Sequence, residues 1–512
     1  LINRKEKVLK IEIETVPMQT GISTSMESQT MKAESKPSFK KIHYMMFVFV
    51  FLQVLWYFTF SEPLTEMIGG NPIFPFVLDD DVISRTARLV MIYHSLAVPF
   101  LVANTFWILE HYPIRKKWLP TLKVLLVPGA FLVGINGMIF AYTRIRLFHE
   151  LFIFGLFLCF LGGIIFVISA WPVKGRFPKS NPDGSTFRGV NLEYFNLVVL
   201  AICILVSTIY GALAAIENFT GSIWGLNRNP IAFLAEAIVR HGITFGEEHD
   251  IVENMIIGHL HIQLAQSAAM VMLVGFRTSK MSGNLYRFIL LMTPIGIITL
   301  SYGAWVLNHY VIWVGAGILI LCTLTMAIIG LKNTIKTRMK ESYNSASRSA
   351  KLKSLFKEPV KLSYYYLFLV AQFIVFPQIY AGLTTDSAYR LHSYVELEYG
   401  FNVGHWHQLA VSIAVILMLH AIDYFKVEGK LKVFLGWTFF IGVNLTFPFA
   451  MIHMVRPLAW ENVFIFLDIT FVGIWVLLVG FVVGLYALAK NLKRLPLESK
   501  QLLPIEQIKK VL

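Results

Sequence analysis

Cysteine and charge are both scarce in this chain. Three cysteines, Cys159, Cys203 and Cys322, stand in 512 residues, each within an apolar stretch. They form no C-x-x-C-H motif for covalent haem and no zinc spacing, and they read as small buried core residues. Charged residues make up 15% of the chain, against about 25% in soluble domains. Hydrophobic residues reach 56%, and mean hydropathy is +0.62. This balance excludes an ordinary soluble globule, and also a disordered chain, which needs low hydrophobicity. Acids are the scarcer charge: 31 Asp and Glu against 45 Lys and Arg, a formal +14. The basic residues sit in loops between apolar runs, so the excess is expected to set membrane topology and not to bind nucleic acid.

What the chain has in abundance is long apolar runs. A transmembrane helix takes about 20 mostly apolar residues. Twelve stretches qualify: 42–60, 86–109, 119–141, 148–171, 193–216, 251–275, 285–307, 310–331, 363–383, 402–425, 432–454 and 463–489. They lack the alternation of barrel strands and are about twice as long. The expected fold is an all-α membrane protein, a twelve-transmembrane-helix bundle over 42–489. A polar, disordered tail is expected at 1–41, a basic loop at 332–361 and a second tail at 490–512. The basic loops around Arg115, Lys174, Arg277 and 332–361 fall on one side of such a bundle. The acidic loops around Asp79, Glu247 and Glu396 fall on the other, with Arg144 and Arg146 as the exception. The positive-inside rule then puts both termini in the cytoplasm, as expected for a protein of a prokaryotic inner membrane.

Ionisable groups inside spans are expensive and point to function. Six histidines lie toward the outer side: His94 in span 2, His259 and His261 in span 6, His309 at the end of span 7, and His405 and His407 in span 10. Residues building one cofactor layer share a depth; unrelated structural histidines have no reason to. Positions i and i+2 point about 200° apart on a helix, so His405 and His407 face opposite sides. Such a helix can supply one axial ligand to each of two haems, with His94 completing one of them. His259 and His309 could hold a non-haem metal opposite the other, iron or copper being suited to imidazole. His261 is turned away from His259 by the same spacing.

This order of motifs resembles the catalytic subunit of the haem–copper oxidase superfamily, which includes oxygen reductases and nitric oxide reductases. The motifs are a His in span 2, Gly258-His259 in span 6, His309 ending span 7, and Gly404-His405-Trp406-His407 in span 10. The resemblance implies His94 and His407 as axial ligands of a low-spin haem, most simply haem b. It implies His405 on a high-spin haem, His259 and His309 on a distal metal, and Arg456 beside the haem propionates. Asn308 replaces the first His of the usual pair, which leaves room for His261 as a substitute ligand. Gln263 stands where nitric oxide reductases resemble one another in a metal-site Glu. Tyr302, seven residues before His309, matches the redox tyrosine of C-family oxygen reductases.

The activity implied is reduction of a small gas, with nitric oxide to nitrous oxide preferred over oxygen to water. A nitric oxide dismutase-like activity is a further alternative. The electron donor would be a cytochrome c-type subunit or quinol. Asn308 also keeps open a degenerate member carrying haem for electron transfer or gas sensing. A transporter with scattered polar groups is the third class.

Overall fold

The computed structural model describes residues 40–60, 82–143, 145–173, 184–220, 251–306, 308–370, 395–455 and 465–494, all within one compact unit, Ser38–Pro496. Thirteen helices run through these residues. They are α1 (Lys40–Phe60), α2 (Val82–His111), α3 (Leu119–Thr143), α4 (Arg146–Ser169), α5 (Leu192–Thr220), α6 (Ile251–Thr278) and α7 (Gly283–Trp305). Then come α8 (His309–Met339), α9 (Arg348–Phe356), α10 (359–370), α11 (Val395–Tyr424), α12 (Gly429–Val455) and α13 (Ile465–Arg494). A two-residue hairpin, Thr186–Phe187 with Val190–Asn191, precedes α5.

Nine of these helices are long and apolar enough to cross a membrane, among the described residues. This is the helix content of an integral membrane protein. Eleven of the twelve apolar stretches begin on a described helix, and the one at 463–489 is described as helix from Ile465; the one at 363–383 is described only as far as 370. The expected tails lie outside the described residues, except that α1 begins at Lys40 and α13 runs on to Arg494. The basic loop at 332–361 is largely helical. α8 continues to Met339, a 3-10 turn follows, and Ser347 caps α9 by accepting from the Ala350 amide.

Consecutive helices pack side by side: α3 on α4, α7 on α8, α12 on α13, and α5 on α6. Small residues let their backbones approach. A Cβ at Gly129 of α3 would lie 3.0 Å from the Gly155 carbonyl of α4, and one at Gly155 would lie 2.9 Å from the Gly129 carbonyl. α6 sits centrally, touching α2, α5, α7, α8 and α11. Pro99, Pro128, Pro294 and Pro448 lie inside α2, α3, α7 and α12. Each removes one backbone hydrogen bond, which a packed membrane bundle tolerates.

One end of the bundle is tied by a buried ion pair. Glu193, the second residue of α5, has a fully buried side chain and accepts from Arg277 of α6 at 2.5 Å. Its other oxygen accepts from the Tyr286 hydroxyl of α7. The Arg277 guanidinium lies 4.7 Å over the Tyr112 ring, and Tyr112 donates to the Leu273 carbonyl at 2.6 Å. Four elements therefore meet at one carboxylate and one guanidinium.

Candidate functional site

Of the six candidate histidines, three have described rings: His94, His259 and His261. His259 lies in the third turn of α6, where α5 passes. Its Nδ1 is 2.7 Å from the Ser207 carbonyl. A carbonyl only accepts, so Nδ1 carries the ring proton, and in the neutral ring Nε2 keeps its lone pair. The Ser207 hydroxyl donates back to the His259 carbonyl at 3.1 Å. The ring is therefore fixed in orientation and tautomer by the partner that metal-bound histidines commonly have.

Two glycines make this possible. A Cβ at Gly211 of α5 would stand 2.8 Å from His259 Nδ1, so a larger residue there would push the ring aside. A Cβ at Gly258 would stand 2.9 Å from the Ala304 carbonyl of α7. The Gly-His pair of span 6 thus lets one helix approach while the next residue meets another.

His94 of α2 lies against His259, with ring centroids 5.9 Å apart and planes 9° from parallel. Phe152 of α4 meets His94 edge-on at 6.4 Å. The structure therefore brings together two rings that the resemblance assigns to two different groups, a haem and a distal metal. Gln263, one turn along α6 from His259, faces the same neighbour. Its amide donates to the Thr208 hydroxyl at 3.1 Å and to the Ile204 carbonyl at 3.3 Å. His261 is half-buried on another side of α6.

The remaining candidates are placed differently. Asn308 is exposed and is the N-cap of α8, its side-chain oxygen accepting from the Val311 amide at 3.2 Å. Tyr302 is 55% exposed on α7, while its neighbour Ser301 is buried and accepts from Gln266 of α6 at 2.8 Å. His309 is the first residue of α8, and His405 and His407 lie on α11; their side chains are outside the described part, as is Arg456 altogether. Among the described residues no three His, Cys, Asp or Glu side chains converge on a metal position. The described donor set is two imidazoles, one of them pre-oriented, which suits a transition metal.

No known protein family, curated protein or solved structure matches this chain.

Sequence reasoning passed over a second polar cluster, at the opposite end of the same helices. His111 at the end of α2 and His420 near the end of α11 lie Nε2 to Nε2 at 2.9 Å. Tyr424 donates to Glu110 at 2.5 Å beside them. Trp107 packs edge-on to His420 with centroids 4.6 Å apart, and Tyr364 of α10 approaches it at 5.7 Å. The available signal was that His420 lies within an apolar run and His111 two residues past one, each about one turn or less from an acid or tyrosine.

Proposed function

We propose that the chain is a membrane redox protein of haem–copper oxidase type that reduces a small gas, nitric oxide before oxygen. The reading includes a twelve-helix bundle in a prokaryotic inner membrane with both termini cytoplasmic. The observation that supports it is His259: half-buried, held through Nδ1 by a backbone carbonyl, and facing a second histidine from another helix. A hydrogen bond between helices alone does not require a second imidazole beside the first.

In this reading His405 and His407 of α11 would hold the two haems, His94 would share the low-spin haem with His407, and Arg456 would pair with haem carboxylates. His259, with His309 or His261, holds the non-haem iron or copper. A haem facing such a metal supplies electrons and a binding place for the gas. The chain's own part is to orient His259 through Ser207, to fix Gln263 on Thr208, and to exclude water with apolar walls. A cytochrome c-type subunit or quinol delivers the electrons.

A second reading, haem-based electron transfer or gas sensing without turnover, draws on Asn308 and Tyr302. The Asn308 oxygen is engaged as a helix cap and the Tyr302 ring lies at the surface, so neither stands at His259.

The test is haem and metal stoichiometry of the purified protein, with reduced-minus-oxidised spectra before and after carbon monoxide. Two haems, one responding to carbon monoxide, and one non-haem metal are expected, with nitrous oxide formation outpacing oxygen uptake. Two haems without the extra metal would favour electron transfer or sensing, and a colourless protein would sink both readings. His94→Ala separates the two groups at its ring: loss of the low-spin haem alone supports the haem assignment, and loss of the non-haem metal shows that His94 shares the site of His259.

A further inference from the structure

The His111–His420 pair lies at the end of the bundle where Arg115, Lys117, Lys280, Lys361 and Lys432 cluster. An Nε2-to-Nε2 distance of 2.9 Å needs one hydrogen between the rings. One ring donates and the other accepts, so the pair holds a bridging proton whether its net charge is zero or plus one.

The pair is also connected to water. His420 lines a cavity of about 180 Å³ together with Tyr364, Tyr365, Asp423, Lys280 and Lys361. That volume has room for several waters, each occupying roughly 30 Å³ in the liquid. On the other side, polar atoms continue into the bundle. Asn104 Oδ1 and Nδ2, two turns from His111 on the same face of α2, are buried without a hydrogen-bonding partner. Ser412 Oγ on α11 and Gln266 Oε1 on α6 are in the same condition. Buried polar atoms of this kind are ordinarily satisfied by ordered water.

Aromatic faces surround the pair, while burial and Arg277 oppose a positive charge on His111. Trp107 and Tyr424 pack around both histidines, and Tyr364 packs against His420. Electron-rich ring faces attract a cation. Glu110 on α2 and Asp423 on α11 are the nearby acids; Asp423 is paired with Lys432 of α12 at 2.7 Å and Glu110 accepts from Tyr424. Opposing charge comes from Arg277 of α6, which bears on His111 and is itself paired with Glu193 of α5, and from Lys280 and Lys361 at the cavity wall. Tyr112 completes the ionisable groups at this end of α2.

We propose that His111 and His420 form a proton-loading site that takes up a proton from water at the basic end of the bundle. A proton adds to His420 Nδ1 from the cavity. The bridging proton passes from His420 Nε2 to His111 Nε2, and the proton on His111 Nδ1 leaves inward. The loaded pair carries one positive charge after the first step; once the His111 Nδ1 proton has left, each ring has gained one N–H bond and lost one, and the pair is neutral again. The site needs neither haem nor metal, so it stands or falls separately from the redox reading.

Trp107 supplies the readout, because an imidazolium against an indole quenches its emission and a neutral imidazole does so far less. The full chain, with an affinity tag inserted at 344–347, is reconstituted into vesicles, which are sorted by whether the tag is outside. External pH is lowered from about 8 to about 4 with an impermeant buffer, running well below the ordinary histidine range because burial and Arg277 oppose charge on the pair. Trp107→Phe measured in parallel gives the background of the other tryptophans. Loss of Trp107 emission is expected in tag-outside vesicles and not in tag-inside vesicles. His420→Phe should abolish the step, and His111→Gln should move its midpoint by about half a pH unit or more. No step, an equal step in both vesicle populations, or an unmoved midpoint in His111→Gln would overturn the proposal. The sidedness comparison needs neither histidine variant to fold.

Discussion

Glu193→Gln is the sharpest test of how the bundle is closed at its basic end. The substitution keeps the volume of the side chain and removes its charge. In the native chain one carboxylate oxygen accepts from Arg277 at 2.5 Å and the other from Tyr286. The Glu193 side chain is fully buried and that of Arg277 is 20% exposed. Gln offers one acceptor in place of two, and its NH2 meets either a guanidinium or a phenol proton. Arg277 is then left as a largely buried cation without its counter-charge. Breaking one partner of a buried pair costs about 3–5 kcal/mol. The lower end applies, because Arg277 retains some solvent and the Tyr112 ring beneath it. About 3 kcal/mol corresponds to roughly a 150-fold fall in the folded-to-unfolded ratio. The assay is denaturant unfolding of the purified protein in mild detergent, followed by fluorescence. Arg277→Met with Glu193→Gln should recover much of the loss, since both charges then disappear together. A Glu193→Gln protein within about 0.5 kcal/mol of wild type, the range of an ordinary surface change, would refute the account.

On the proposed redox reading, two further substitutions probe the site at His259. Gly211→Ala places a methyl group 2.8 Å from His259 Nδ1 and should displace the ring from Ser207, lowering non-haem metal content while haem content is kept; unchanged metal analysis would count against His259 as a ligand. Asn308→Ala removes the cap on α8 and should cost about 1 kcal/mol of stability without changing metal content; loss of the metal would show that Asn308 is a ligand and that its capping role is secondary.

The helices were legible because apolar runs of span length leave few alternatives, and eleven of the twelve stretches are described as helix along most of their length. The basic segment 332–361 was harder. Its charges mark it as a loop, but α8 continues through Lys332 and Lys336 to Met339 because lysine is a good helix former. Asn308 shows a local ambiguity. An Asn ahead of a helix is equally a metal-facing replacement for His and a preferred N-cap, and the structure uses it as the cap. Arg277 reads in the sequence as one charge of a basic loop, and Glu193 carries no signal of its own. They are 84 residues apart, and nothing in either neighbourhood names the other. The His111–His420 contact spans 309 residues. Pairings of that range come from helix packing, which the periodicity of a single helix does not encode. The clamp on His259 was partly readable: Gly258 marks a close approach, but Ser207 and Gly211 become meaningful only once α5 lies beside α6.

Pro99 has a mechanical consequence for α2. The helix carries His94 toward one end and Trp107, Glu110 and His111 toward the other, and the proline falls between them. The Ser95 carbonyl lacks the backbone donor that a continuous helix would supply, so bending stiffness is lowest there. A tilt of the outer half can be absorbed at that joint and need not be transmitted to the inner half. One helix can thus serve two separate chemical stations whose movements are insulated from each other.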